Sequence, residues 1–150
     1  MKRYTAIAGV SAAALLGTGG FLLPATASPA SATHTIVLTS VTKKTKTFPV
    51  HHPYLDHVAG LDVDLNSAGK VVGYDTTNVT FNGKAHTGHG WVAINLAGGL
   101  IEGTVGVTSS GIVATITGGT GTYSHITGTA KVVDLNKSGS RTKVTIVYKH

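Results

Sequence analysis

The sequence predicts an all-β domain, a single antiparallel barrel of eight strands, and three observations carry that reading. Beyond residue 33, apolar and β-branched residues alternate with polar ones at a period of two, and no stretch sustains a period of 3.6. The alternating runs are separated by clusters of Gly, Asn, Asp and Ser that reverse the chain. Eight such runs joined mostly by short turns suit an up-and-down barrel, whose closure removes the open edges of a sheet. A two-sheet sandwich is the alternative packing of the same strands.

The first 32 of the 150 residues stand apart from this pattern. Lys2 and Arg3 precede a charge-free apolar stretch from Ala6 to Leu23, and small residues follow, with Ala30-Ser31-Ala32 as the best cleavage site and Ala25-Thr26-Ala27 as an alternative. That is the build of a secretory signal, and Gly17, Gly19, Gly20 and Pro24 interrupt it too often for a membrane anchor. The chain therefore divides into a signal at 1–32 and a barrel domain at 33–150, and secretion is the expected fate. Cleavage removes two of the twelve basic residues and none of the six acidic ones, leaving 118 residues at a net charge of +4. A domain of that size buries enough surface for one core. It has no cysteine, so neither disulfides nor thiolate chemistry contribute.

The elements follow in order. Thr35–Val41 is the first strand. Thr42 to Thr47 carries Lys43, Lys44 and Lys46, read as a solvated loop or an edge that lysines keep from pairing. From Phe48 to Tyr54 two prolines exclude a central strand. Pairing resumes near Val58, and Gly60–Leu65 sets Leu61, Val63 and Leu65 on one face with Asp62 and Asp64 on the other. The sequence Asn66-Ser67-Ala68-Gly69 turns the chain into Val71–Phe81, where Gly73 offers a bend. Trp91–Leu96 follows a Gly/His-rich loop. Leu100–Thr108 and Ile112–Thr117 form a hairpin across Ser109-Ser110-Gly111. Gly118 to Gly121 reverses the chain into His125–Leu135, and Arg141–Tyr148 is the last strand. An eight-stranded barrel is just wide enough to be filled by side chains or to hold one small ligand.

Several of these features occur in an order that resembles the allene oxide cyclase and dirigent-like β-barrel superfamily. They are the D-x-D-L strand at Asp62–Leu65, the N-x-x-G turn, Lys70-Val71-Val72-Gly73-Tyr74, Gly99-Leu100-Ile101-Glu102-Gly103, and the T-G-G-T-G-x-Y reversal at Thr117–Tyr123. The resemblance implies an apolar central cavity that binds a small hydrophobic or aromatic molecule and directs ring closure or radical coupling, generally without a cofactor. Two departures stand out. The cysteine pair of plant dirigent proteins is missing, and the acid that the cyclases use on an early strand has no counterpart in Thr35–Val41. Cofactor-independent cyclisation and binding without turnover are both open, as is a structural role at the cell envelope.

Candidate chemistry rests on few residues. Asp75 and Glu102 sit mid-strand and are the candidate catalytic acids, because an acid on an inward face is desolvated and poised for proton transfer. Tyr74, Asn78 and Tyr123 are candidate ligand hydrogen-bond partners, although Tyr123 also suits a ring packed across the reversal. The strand Val71–Phe81 puts Asp75 with Val71, Val79 and Phe81, and Tyr74 with Asn78, and the pattern leaves open which face is inward. Asp62 and Asp64, opposite three aliphatic residues, are expected to point to water. Of the eight histidines, His51, His52, His57, His86 and His89 fall in loops with no zinc-site spacing, so no metal is expected. The lysines lack interleaved aromatics, which argues against nucleic acid and leaves contact with an envelope polyanion open. Gly118 to Gly121 lacks the lysine and the helix of a phosphate cradle.

Overall fold

The computed structural model describes residues 31–49 and 54–150. The predicted signal, apart from its last two residues, and the prolyl-histidyl stretch 50–53 lie outside the described residues. Eight strands follow one another in sequence and in space: β1 (Thr33–Pro49), β2 (Leu55–Leu65), β3 (Val71–Asn82), β4 (Thr87–Leu96), β5 (Gly99–Thr108), β6 (Gly111–Gly119), β7 (Thr127–Asp134) and β8 (Arg141–Lys149). Each pairs antiparallel with the next, and β8 pairs back with β1 from Thr33↔Lys149 to Val41↔Arg141. The sheet is thus a closed barrel, and the sandwich alternative falls.

Three strands are longer than the sequence suggests, each for a local reason. The lysine run is part of β1: Thr42, Thr45 and Thr47 favour extended backbone, and after a register shift between Thr42 and Lys44 β1 stays paired with β2 as far as Pro49↔Asp56. Its pairing with β8 ends at Val41, so the far half of β1 is an edge studded with exposed Lys43, Lys44 and Lys46. This β1–β2 arm also starts β2 early, at Leu55. The Gly/His-rich loop is mostly strand as well, with Thr87–Gly90 pairing against Val79–Asn82. Gly90 is required there, because a Cβ would run into the carbonyl oxygen of Asn78.

The barrel has one plugged end and one open end. At the plugged end the glycine reversal does more than turn the chain. Gly121, at φ 60°, opens a 3-10 turn over Gly121–Tyr123, and a Cβ there would collide with the carbonyl oxygen of Gly98. The amides of Thr120 and Thr122 donate to the carbonyls of Leu100 and Gly98, both at 2.8 Å. His125 takes φ 62°, which delays β7 to Thr127 and leaves Ile126 to cap the core. Ile126 joins Ile101, Ile116 and Ile146 as the largest fully buried side chains. Each contributes about 1.5–3 kcal/mol of burial free energy.

Candidate functional site

Above that plug the barrel is hollow. A cavity of about 330 Å3 opens between the strands, walled largely by aliphatic side chains such as Val79, Val92, Val105 and Val144, with Phe81 its one aromatic ring among the described residues. Such a volume lies at the lower end of small-molecule sites. Polar groups enter it chiefly from β1, β2 and β3: Ser40, Asp62, Asp75 and Thr77, with Asp134 and Thr142 added from β7 and β8.

The register explains why acids face inward. Ser40 pairs with Asp64, Asp62 with Asp75, and Asp75 with Ile94, so all share the inner face of the sheet. Leu61, expected in the core, is 39 % exposed on the outside. The expectation that Asp62 and Asp64 point to water is therefore inverted. Strict alternation specifies two faces without saying which is inner, and the neighbours of β2 decide it. Val71 is also corrected: a bulge beside the Leu65↔Val71 pair turns it away from the face of Asp75, and it is 59 % exposed.

The geometry of the acid cluster is tight. Ser40 Oγ lies 3.0 Å from Asp75 Oδ2 and 3.2 Å from Asp62 Oδ2, and its single proton serves one carboxylate at a time. Asp64 is fully buried, and among the described residues no donor reaches either of its oxygens. Burial is the main cause that pushes its carboxyl up to about 7, followed by the charge of Asp75. Asp75, 6 % exposed, is pushed up to about 6, first by burial and then by the charge of Asp62. The hydrogen bond from Ser40 pulls the other way on Asp75. A proton on Asp64 resolves its lack of partners, since it can then donate to Asp75. Burial thus raises both carboxyls toward the neutral range, between a polar wall and an apolar space.

The other sequence candidates lie elsewhere. Glu102 is exposed on the outer face of β5, since its neighbours Ile101 and Gly103 take the inward positions. Tyr74 is 50 % exposed, and its hydroxyl accepts from Asn95 Nδ2 at 2.7 Å on the outer surface. Asn78 shares that outer face, in register with exposed Trp91. Tyr123 packs edge-on against Tyr148, ring centroids 6.0 Å apart, within the plug rather than the cavity. Of the five candidates only Asp75 enters the cavity. Sequence reasoning missed Asp62, Asp64 and Ser40. Among the described residues no group of three or more His, Asp or Glu side chains is arranged to hold a metal ion.

No protein-family model and no curated protein matches the chain. Solved structures do. A pyocyanin demethylase superimposes with a TM-score of 0.65 at 20 % identity, covering 77 % of this chain and 99 % of its own. A pterocarpan synthase dirigent protein gives 0.61 at 16 % identity, covering 86 % and 95 %. A Diels–Alderase from Streptomyces koyangensis gives 0.59 at 12 % identity, covering 78 % and 68 %. Identities this low speak to architecture, and on that ground the chain has the dirigent and allene oxide cyclase-like eight-stranded β-barrel fold.

Proposed function

We propose that this chain is a secreted barrel that binds a small hydrophobic molecule in its cavity and steers a ring closure there, without a cofactor. The observation that carries the reading is the Asp64–Asp75 pair, tuned near neutrality, behind an apolar cavity of about 330 Å3. The dirigent and Diels–Alderase barrels among its structural neighbours support it by analogy of architecture. Confinement favours the folded conformer of a flexible substrate and excludes water. Asp75 accepts a proton from an acidic O–H or C–H of the bound molecule, and the pair returns a proton to the atom that gains charge as the ring closes. The cycle is an isomerisation, so it consumes no proton and needs no oxidant.

The test of the binding half is a neutral apolar dye, N-phenyl-1-naphthylamine, titrated against the wild type and against Ala114→Phe, which places a ring in the cavity from β6. Saturable one-to-one fluorescence enhancement that the substitution abolishes is the expected result. Enhancement that never saturates, or that survives a filled cavity in a folded variant, would remove the reading.

A further inference from the structure

The charges of this domain are sorted between its two surfaces. All ten lysines and arginines of the described residues, from Lys43 to Lys149, are exposed on the outside. Among the described residues no lysine, arginine or histidine lines the cavity, whereas Asp62, Asp75 and Asp134 do, and Asp64 stands beside Asp75. Asp56 extends the series toward the mouth, in register with Phe81, which lines the cavity. Asp62 and Asp75 are cross-strand partners, and like charges placed opposite each other destabilise a sheet unless something offsets them. Apart from a proton that Asp64 can share with Asp75, the serine hydroxyl is the one side-chain donor to these two carboxylates among the described residues, and the fully buried Asp64 accepts from no donor there. Among the described residues no counter-charge faces these acids, and most of the remaining wall is hydrocarbon.

We infer that the ligand of this cavity is a hydrophobic organic cation, an aromatic or alkyl body bearing an amine or quaternised nitrogen, seated with its positive head at Asp62 and Asp75. The inference rests on the cavity-binding reading above and adds the charge of the ligand to it. A body of this kind satisfies both parts of the site at once. Its apolar portion meets Val92, Val105 and Val144, and its head relieves the repulsion between the two aspartates. A bare metal ion matches the acids but would leave the hydrocarbon walls unused. An anionic ligand would add a further negative charge to the cluster. Weak hydration makes alkylated nitrogen cheaper to bring into such a space than a compact ammonium, because less water must be stripped from it.

The experiment compares two probes of one shape that differ only in charge, phenyltrimethylammonium and tert-butylbenzene, each displacing the neutral dye from the wild-type barrel. The cation should bind about tenfold more tightly than its neutral isostere, the net of a short-range attraction at intermediate dielectric and the cost of desolvation. Asp62→Asn and Asp75→Asn should each erase most of that preference while leaving tert-butylbenzene affinity in place, which also shows that the variants fold. A permanently charged probe cannot gain or lose a proton. Protons released on its binding near pH 6.5, read from calorimetric heats in buffers of different ionisation enthalpy, therefore come from the aspartates, and such release is the expected result. Equal affinity for the two probes, or a preference that survives both substitutions, would overturn the inference and leave the cavity reading intact. If neither the dye nor either probe binds, the cavity reading itself fails and takes the inference with it.

Discussion

The barrel has two walls of opposite character. From β4 to β8 the inner face is mostly aliphatic, with Ile94, Ile101, Ile116 and Ile146 buried in one cluster and Asp134 and Thr142 its polar exceptions at the cavity. From β1 to β3 it carries Ser40, Asp62, Asp64, Asp75 and Thr77. The first wall lowers the free energy of the fold through area removed from water. The second raises it, since buried carboxyls are held away from solvent with too few donors. Stability and reactivity are thus divided between strands, and the acid wall persists because the aliphatic one and the ladder around it hold the register.

The largest expected effect comes from breaking the aliphatic wall. Ile101→Ala removes a fully buried side chain beside the plug and should cost about 3 kcal/mol in denaturant unfolding, from lost transfer free energy plus a residual cavity. An effect below about 1 kcal/mol would mean that the plug collapses to fill the gap and that the wall is less rigid than its packing implies.

The acid wall should respond with the opposite sign. The carboxyls of Asp64 and Asp75 are raised in the folded state, to about 7 and about 6. The native chain therefore holds more protons than the unfolded one between about pH 4 and pH 7. Their contribution is fully present at the acid end of that window and is lost as pH rises through it. Asp64→Asn supplies a permanent N–H donor to Asp75 where the acid must keep a proton. It should raise stability at pH 8 by on the order of 2 kcal/mol, and change it little at pH 4. Denaturation midpoints of both proteins at the two pH values check this, and a substitution that destabilises at pH 8 would show that the ionised carboxyl has a partner after all.

A smaller effect separates the serine from the acids. Ser40→Ala removes the hydrogen bond that pulls Asp75 down, so the Asp75 carboxyl should titrate at still higher pH, and stability at pH 8 should fall by about 1 kcal/mol. Carboxyl-carbon NMR titration reads the first change directly. If Asp75 does not move, Ser40 bonds mainly to Asp62, and the bifurcated arrangement is resolved in favour of the longer contact.

How much of this was legible in the sequence differs between the two walls. The period-two runs and the Gly, Asn and Ser turns give eight strands and closure, because backbone pairing and turn chemistry are local. The aliphatic wall is legible in part: Ile116 stands between Thr115 and Thr117, while Ile94, Ile101 and Ile146 each have one apolar neighbour. The acid wall was hidden by that same logic. In Leu61-Asp62-Val63-Asp64-Leu65 a hydrophobic-in rule puts the leucines inside, yet the barrel turns them out. A usable signal was present. The Asn66–Gly69 turn brings Asp62 opposite Asp75 once one bulge is allowed, and Asp75 was already grouped with Val79 and Phe81. Two like charges facing across a hairpin call for a functional reading. Searching the first strand for an acid missed its contribution, which is the hydroxyl of Ser40. The extra length of β1 depends on pairing with β2, which the threonines between its lysines permit but do not specify.

The smallest expected effect tests the outside of the acid wall against its inside. Glu102→Gln and Tyr74→Phe alter residues whose mid-strand positions mark them as candidates by sequence, while the fold places both on the outer surface. Glu102 loses only charge. Tyr74 loses one exposed contact with Asn95, in competition with water. Each should shift stability by less than about 0.5 kcal/mol, as surface substitutions do, and leave dye and cation binding unchanged. A strand has only two faces, and β3 turns Asp75 and Tyr74 to opposite ones with a single peptide between them. If Tyr74→Phe weakened cavity binding as much as Asp75→Asn, β3 would have to present its other face inward. The pairing of Asp62 with Asp75 would then be lost as well, because inverting one strand inverts every residue on it. Near-silence at Tyr74 beside a strong response at Asp75 is therefore a test of register that needs no knowledge of the substrate.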